Sequence, residues 1–266
     1  MSTAAEAKKI VIKVGTSTLA HATGHINIRM LEELVKVLAD LQNSGRQIIL
    51  VSSGAIAVGM GKLGLHRRPS DMPDKQAAAA VGQCELMYLY DRYFSEYNHT
   101  IGQVLLTNDS VCSPESRENV HNTFEALLAM GAIPVVNEND TVATDEIRVG
   151  DNDTLSAIVA RITGADCLVI LSDIDGLYTA DPARDPAAEL VREVPEITDA
   201  VRALAGGSAG KLGTGGMITK LHAAEIAVGA GADMYIINGR NPRSLYDLIE
   251  GRPVGTHFWG KAAVNI

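Results

Sequence analysis

The chain has few cysteines, a deficit of positive charge and no long apolar run. Its three cysteines, Cys84, Cys112 and Cys167, are scattered and form no C-x-x-C pair. That excludes a disulfide framework and fits a reducing compartment, so a cytoplasmic location is expected. Lys and Arg number 23 against 32 Asp and Glu, a net charge of −9. Nucleic acid and anionic membrane surfaces both require a basic face, so neither is an expected partner. An anionic small substrate stays open, because a local cluster of lysines can override the global sign. No apolar stretch reaches the length of a membrane span, and none stands at the N-terminus as a signal segment would. No repeat or low-complexity tract is present. Nucleophile and metal signatures are missing too. Gly206-Gly207-Ser208-Ala209-Gly210 spells G-x-S-x-G, but a helix precedes it where a nucleophile elbow needs a strand. His21 and His25 are four apart with Gly24 between them in a turn-like stretch, so they are no helical metal pair.

What is present is a regular alternation. With 46% hydrophobic and 21% charged residues over 266 positions, a sizeable core can form. Short apolar runs at Lys9–Val14, Ile48–Val51, Ile101–Leu106, Ile133–Val136, Cys167–Leu171, Met234–Ile237 and 255–258 read as strands. Helical spacing fills the gaps, for example Ile28, Leu31, Leu34, Val35, Leu38 and Leu41 behind an Asn27 cap. A long Ala-rich helix is predicted from about Asp74 to Tyr97, another from about Arg117 to Met130, and one over Thr154–Ile162 with Asp153 as its cap. Turn residues make 174–195 a hairpin or an irregular excursion. Strands alternating with helices predict an α/β fold with right-handed crossovers and a mainly parallel sheet. No composition break forces a domain boundary.

Polar chemistry collects in five places. The densest is 137–156, NENDTVATDEIRVGDNDTLS. It brings Glu138, Asp140, Asp145, Glu146, Asp151 and Asp153 together with Asn137, Asn139 and Asn152, and Arg148 is its only base. Such density after a buried strand points to a ligand site, since ligands in open α/β sheets bind beyond the carboxyl ends of the strands. A solvated acidic loop is the plainer reading, and the D-x-[DN]-x-[DN]-G spacing of an EF-hand is absent. Lys13-Val14-Gly15-Thr16-Ser17 sets a lysine at a strand end beside a glycine turn, which suits an anion or is simply a lysine near a turn. Ser52-Ser53-Gly54-Ala55 leads from strand into helix, an anion site or a plain cap. The nearby match of Gly59–Gly64 to G-x-G-x-x-G begins several residues past its strand, so it is no dinucleotide fingerprint. Leu171-Ser172-Asp173 ends another strand. Gly206–Gly216, GGSAGKLGTGG, runs into a helix as a phosphate-binding loop would, with Lys220 one turn inside. It is not a Walker A loop, because Leu212 stands where Ser or Thr is required.

The segments VIKVGTSTL, VSSGAIAVG, PVVNENDTVATDEIRVGDNDTLSA, LSDIDGLYTADP and GKLGTGGMITK, in this order, resemble the amino acid kinase family, and most nearly its glutamate 5-kinases. The resemblance covers roughly residues 8–260. It implies a three-layer α/β/α sandwich around a mainly parallel sheet, one domain over 1–266, its N-terminal half mainly for glutamate and its C-terminal half mainly for ATP. The implied reaction phosphorylates the side-chain carboxylate of L-glutamate with ATP and Mg2+, the first step toward proline. By the same resemblance Lys13 and Lys220 would flank the transferred group and Asp153 would hold both ammonium groups. Ser53, Asp140 and Asn152 would bind glutamate, with Gly54, Ala55 and Asn137 nearby. Lys13, Ser172, Asp173, Thr214, Gly215, Gly216, Met217, Ile218, Thr219 and Lys220 would hold ATP. No magnesium ligands are named by it. Many glutamate 5-kinases carry a C-terminal PUA domain, and a chain ending at Ile266 is expected to be a form without one. Proline inhibition, a homo-oligomer and a glutamyl phosphate reductase as functional partner are further expectations. The alternatives are another member of the family, such as an acetylglutamate kinase, aspartokinase or uridylate kinase, and a non-catalytic amino-acid sensor on the same fold.

Overall fold

The structure is a computed structural model that describes residues 4–21, 23–142, 151–206 and 216–260. Its elements in chain order are β1 (Lys9–Val14), α1 (Thr16–Leu19), α2 (Ile28–Asn43), β2 (Gln47–Ser52), α3 (Ala55–Leu63), α4 (Met72–Ser95), β3 (Ile101–Leu106), α5 (Asn108–Cys112) and α6 (Pro114–Ala129). They continue with β4 (Ile133–Glu138), α7 (Asn152–Thr163), β5 (Cys167–Ser172), β6 (Glu193–Val194), α8 (Asp199–Gly206), α9 (Met217–Gly229), β7 (Asp233–Asn238), α10 (Ser244–Ile249) and β8 (Thr256–Phe258). Two compact units divide the chain, one of residues 14–149, the other of residues 1–13 with 150–266. Among the described residues no helix is long and apolar enough to cross a membrane.

In the 14–149 unit the strands run in the order β3-β4-β2, all parallel. Ile101 through Leu106 pair with Ile133 through Glu138 in continuous register. Every residue of β4 is buried, including Asn137 and Glu138. The strand therefore continues two residues past its apolar run, into what the sequence suggests is already the polar connection. Helix α2 begins where expected, with the Asn27 side chain accepting the Met30 N–H at 3.3 Å. Leu31, Leu34, Val35, Leu38 and Leu41 form its buried face. Helix α4 starts and stops two residues earlier than predicted. Asp71 stands at its N-cap and Pro73 falls in its first turn, where a missing N–H costs nothing.

In the other unit the order is β1-β5-β7-β8-β6. Strands β5 and β7 are parallel, with Cys167 beside Asp233 and Ser172 beside Asn238. Strand β8 is antiparallel to β7 and parallel to β6. The mainly parallel α/β fold expected from the alternation is the observed one. The stretch 174–195 is mostly turns, tied by an antiparallel bridge between Tyr178 and Leu190, and ends on β6. The Thr256 hydroxyl anchors it, accepting the Leu177 N–H at 2.8 Å and donating to the Val191 carbonyl at 2.6 Å.

Candidate active site

The helix α7 cap differs from the sequence expectation, and the difference shapes the site. Asp151, not Asp153, is the N-cap: its Oδ1 accepts the Thr154 N–H at 2.8 Å and its Oδ2 the Thr154 hydroxyl at 3.1 Å. A hydroxyl at 154 gives Asp151 a second bond that Asp153 could not make. Asp153 thus falls inside the first turn, and its carboxylate turns inward, 1% exposed.

Two lysines meet that carboxylate. Lys13, near the end of β1, brings Nζ to 2.6 Å from Oδ1. Lys220, in the first turn of α9, brings Nζ to 3.1 Å from Oδ2. Both lysines are buried. Among the described residues Oδ1 receives no well-directed hydrogen bond, so the Lys13 ion pair is what meets its charge. Oδ2 also accepts the Thr219 hydroxyl at 3.0 Å. Burial pushes the Asp153 carboxyl upward, but the Lys13 and Lys220 ammonium groups together outweigh it and hold the group below the usual carboxylate range. Three residues far apart in sequence thus form one charged trio at the start of two helices, where exposed amides and helix dipoles also favour an anion.

The same unit holds the strand-end pair. Ser172 is buried at the end of β5 and its hydroxyl donates to Asp173 Oδ1 at 3.2 Å, while Asp173 itself is exposed. Gly216 is the N-cap of α9, Met217 is buried behind it and Ile218 is 61% exposed. Asn152 is half-buried as the first residue of α7. Thr214 and Gly215, and Ala143 to Gly150 of the acidic stretch, lie outside the described residues.

In the 14–149 unit, Ser53 and Gly54 link β2 to α3. The Ser53 N–H donates to the Val14 carbonyl at 3.1 Å. Gly54 has φ 101°, a left-handed conformation that side chains disfavour. Ala55 opens α3. Asn137 is 2% exposed, and its amide is held at both ends: Nδ2 donates to Gln83 Oε1 and Oδ1 accepts the Glu138 N–H, each at 2.9 Å. Asp140 is half-buried in the turn after β4. Gln83 and Tyr90, both on α4, had no signal in the sequence. Tyr90 is fully buried, and its hydroxyl meets Ser52 Oγ at 2.9 Å. Seven residues apart, they share one face of α4; only that i, i+7 spacing of polar groups on an apolar helix could have pointed to them.

Among the described residues no three His, Cys, Asp or Glu side chains cluster to hold a metal. Magnesium commonly keeps its waters and binds through substrate phosphates, and the described residues offer no all-protein cage for it.

The sequence matches the amino acid kinase family over residues 8–238. It is 54% identical over 258 residues to glutamate 5-kinase of Listeria welshimeri, covering 96% of this chain and 94% of that one. Glutamate 5-kinase of Clostridium perfringens is 49% identical over 260 residues, covering 96% and 97%. A crystal structure of UMP kinase from Bacillus anthracis superposes with a TM-score of 0.64 at 17% identity, covering 96% of this chain and 97% of that one, a likeness of fold. The chain belongs to the amino acid kinase family, and within it to the glutamate 5-kinases. It is an enzyme of the kinase class.

Proposed function

We propose that this enzyme transfers the terminal phosphoryl group of ATP to the side-chain carboxylate of L-glutamate, giving L-glutamyl 5-phosphate and ADP, the first step of proline biosynthesis. The observation that carries the reading is the Asp153 carboxylate with a buried lysine on each oxygen. Relatives half identical to it over nearly their whole length support the choice of acceptor.

A glutamate side-chain oxygen attacks the γ-phosphorus, the bond from that phosphorus to the β–γ bridging oxygen breaks, and ADP leaves with the electron pair. The nucleophile is already ionised at neutral pH, so no general base is needed. Little covalent chemistry falls to the protein. It must align acceptor and donor and supply positive charge where negative charge accumulates. Lys13 and Lys220 are proposed for that role, with Asp153 holding them in one buried site where two bare ammonium groups would repel. Ser53, Asp140 and Asn152 are proposed to bind glutamate, with Gly54, Ala55 and Asn137 shaping the surroundings. Ser172, Asp173 and the 214–220 segment are proposed for ATP. Magnesium would arrive on the ATP phosphates, supplying charge neutralisation there. Inhibition by proline, a homo-oligomeric state, a cytoplasmic location and hand-over of the labile product to a glutamyl phosphate reductase belong to the same proposal and rest on the family likeness.

The test is ADP release, with hydroxylamine trapping of acyl phosphate, over a panel of L-glutamate, L-aspartate, N-acetyl-L-glutamate and UMP. Release and trapping with L-glutamate well above the others are expected. Ligand binding with no ADP release would mark a sensor, and preference for another acceptor would move the chain to a different reaction.

A further inference from the structure

Asp153 Oδ2 accepts from two donors at nearly equal distance, Thr219 Oγ1 at 3.0 Å and Lys220 Nζ at 3.1 Å. Thr219 Oγ1 also lies 2.8 Å from the Gly216 carbonyl. A hydroxyl has one proton and can donate to only one of these oxygens at a time. The Gly216 carbonyl already accepts the Thr219 N–H at 3.2 Å and the Lys220 N–H at 3.4 Å. The carboxylate is ionised, buried and better served by a charge-assisted bond. The hydroxyl therefore donates to Asp153 Oδ2.

We propose that Thr219 is a positioning residue: its hydroxyl keeps Asp153 Oδ2 satisfied so that the Lys220 ammonium can leave Asp153 for the phosphoryl group in flight. The proposal rests on the phosphotransfer reading above. Without a second donor, each departure of Lys220 would strand a buried carboxylate oxygen, which is costly. The hydroxyl removes that cost and lowers the barrier to the one movement the chemistry needs. It also ties the start of α9 to α7 through the same atom, so the glycine loop's exit and the lysine pair are held together.

The decisive comparison is Thr219→Val against Thr219→Ser in the full chain. Valine keeps the shape and deletes the donor, whereas serine keeps the donor. Thr219→Val should lower kcat about ten- to a hundredfold, the scale of one hydrogen bond to a charged group, with the KM for glutamate within about twofold. Thr219→Ser should restore kcat to within about threefold. A role confined to helix stability would lower the melting temperature without this kcat-specific loss. Equal kcat losses in both variants, unchanged turnover in Thr219→Val, or an effect confined to the KM for ATP would each overturn the proposal. The acid limb of the unfolding curve reads the hydroxyl–carboxylate bond whatever the acceptor proves to be. Thr219→Val should unfold at higher pH than wild type and Thr219→Ser should not; no shift would refute the bond. Wild-type turnover that ignores glutamate would instead refute the acceptor assignment, and the acid-limb comparison would then decide this inference by itself.

Discussion

A carboxylate 1% exposed stays ionised only where its charge is met, and Asp153 is met from both sides. On the proposed reading, removing one ammonium has two effects: the transition state loses a positive charge and the carboxylate loses a partner. Lys220→Ala should lower kcat roughly 10²- to 10³-fold, the scale for one preorganised electrostatic donor, measured by steady-state ADP release. Asp153 also sets a pH dependence. Its folded carboxyl lies below its unfolded value of about 3.9, so its contribution to stability is present above that pH and is lost as pH falls through the depressed folded value. The stability gap between wild type and Asp153→Asn should therefore be widest near neutrality and narrow below about pH 4, read from urea melts across that range. Lys13 and Lys220 were legible as anion-binding candidates because each stands beside glycine turns at an element's end. The inward aim of Asp153 was not. The pair Asp151 and Asp153 offers two possible caps in the same turn, and only the Thr154 side chain, bonding Asp151, decides between them.

At the scale of elements, the tight contact of α3 with α4 carries the β2 exit. A Cβ at Gly82 would sit 1.7 Å from the Ala55 carbonyl oxygen, and one at Gly59 1.8 Å from that of Ala78. These are backbone oxygens and cannot swing aside, so such a close approach requires glycine at both positions. Ala55 is the residue just after the Ser53-Gly54 turn. Gly82→Ala should destabilise the protein by about 1–3 kcal/mol or more, visible as a melting temperature several degrees lower. Forcing α3 outward should also raise the KM for glutamate more than that for ATP; equal rises, or an unchanged melting temperature, would count against α4 as the support of this turn. Gln83 and Tyr90 brace the same region from α4, through Asn137 and Ser52. The sequence marked the strands and the helices' existence because apolar periodicity is local. It missed the glycine contact and the polar pair because both depend on which helix lies against which, and periodicity carries no such information. Helix ends slipped by a few residues for a related reason: α6 begins at Pro114, three residues before the apolar pattern that announces it, with the Ser113 hydroxyl accepting the Ser116 N–H at 3.1 Å.

At the scale of the whole molecule, net charge and local charge have opposite signs, as they must if an acidic protein is to handle anionic substrates. The chain's −9 disfavours polyanions, and the buried lysine pair is the local positive charge that the proposed phosphoryl transfer would use. The alternation of strand and helix foretold the fold class, and the run 255–258 foretold β8, while the edge strand β6, two residues long, was too short to separate from the turns around it. The central claim is that a carboxylate oxygen of glutamate, not water, attacks ATP. L-glutamate labelled with 18O in its side-chain carboxylate tests it most directly. Cyclisation of glutamyl 5-phosphate expels phosphate with the bridging oxygen, so the inorganic phosphate released in step with ADP should carry one 18O atom from glutamate. Phosphate released without label, while ADP accumulates, would mean that water is the acceptor and would contradict the account.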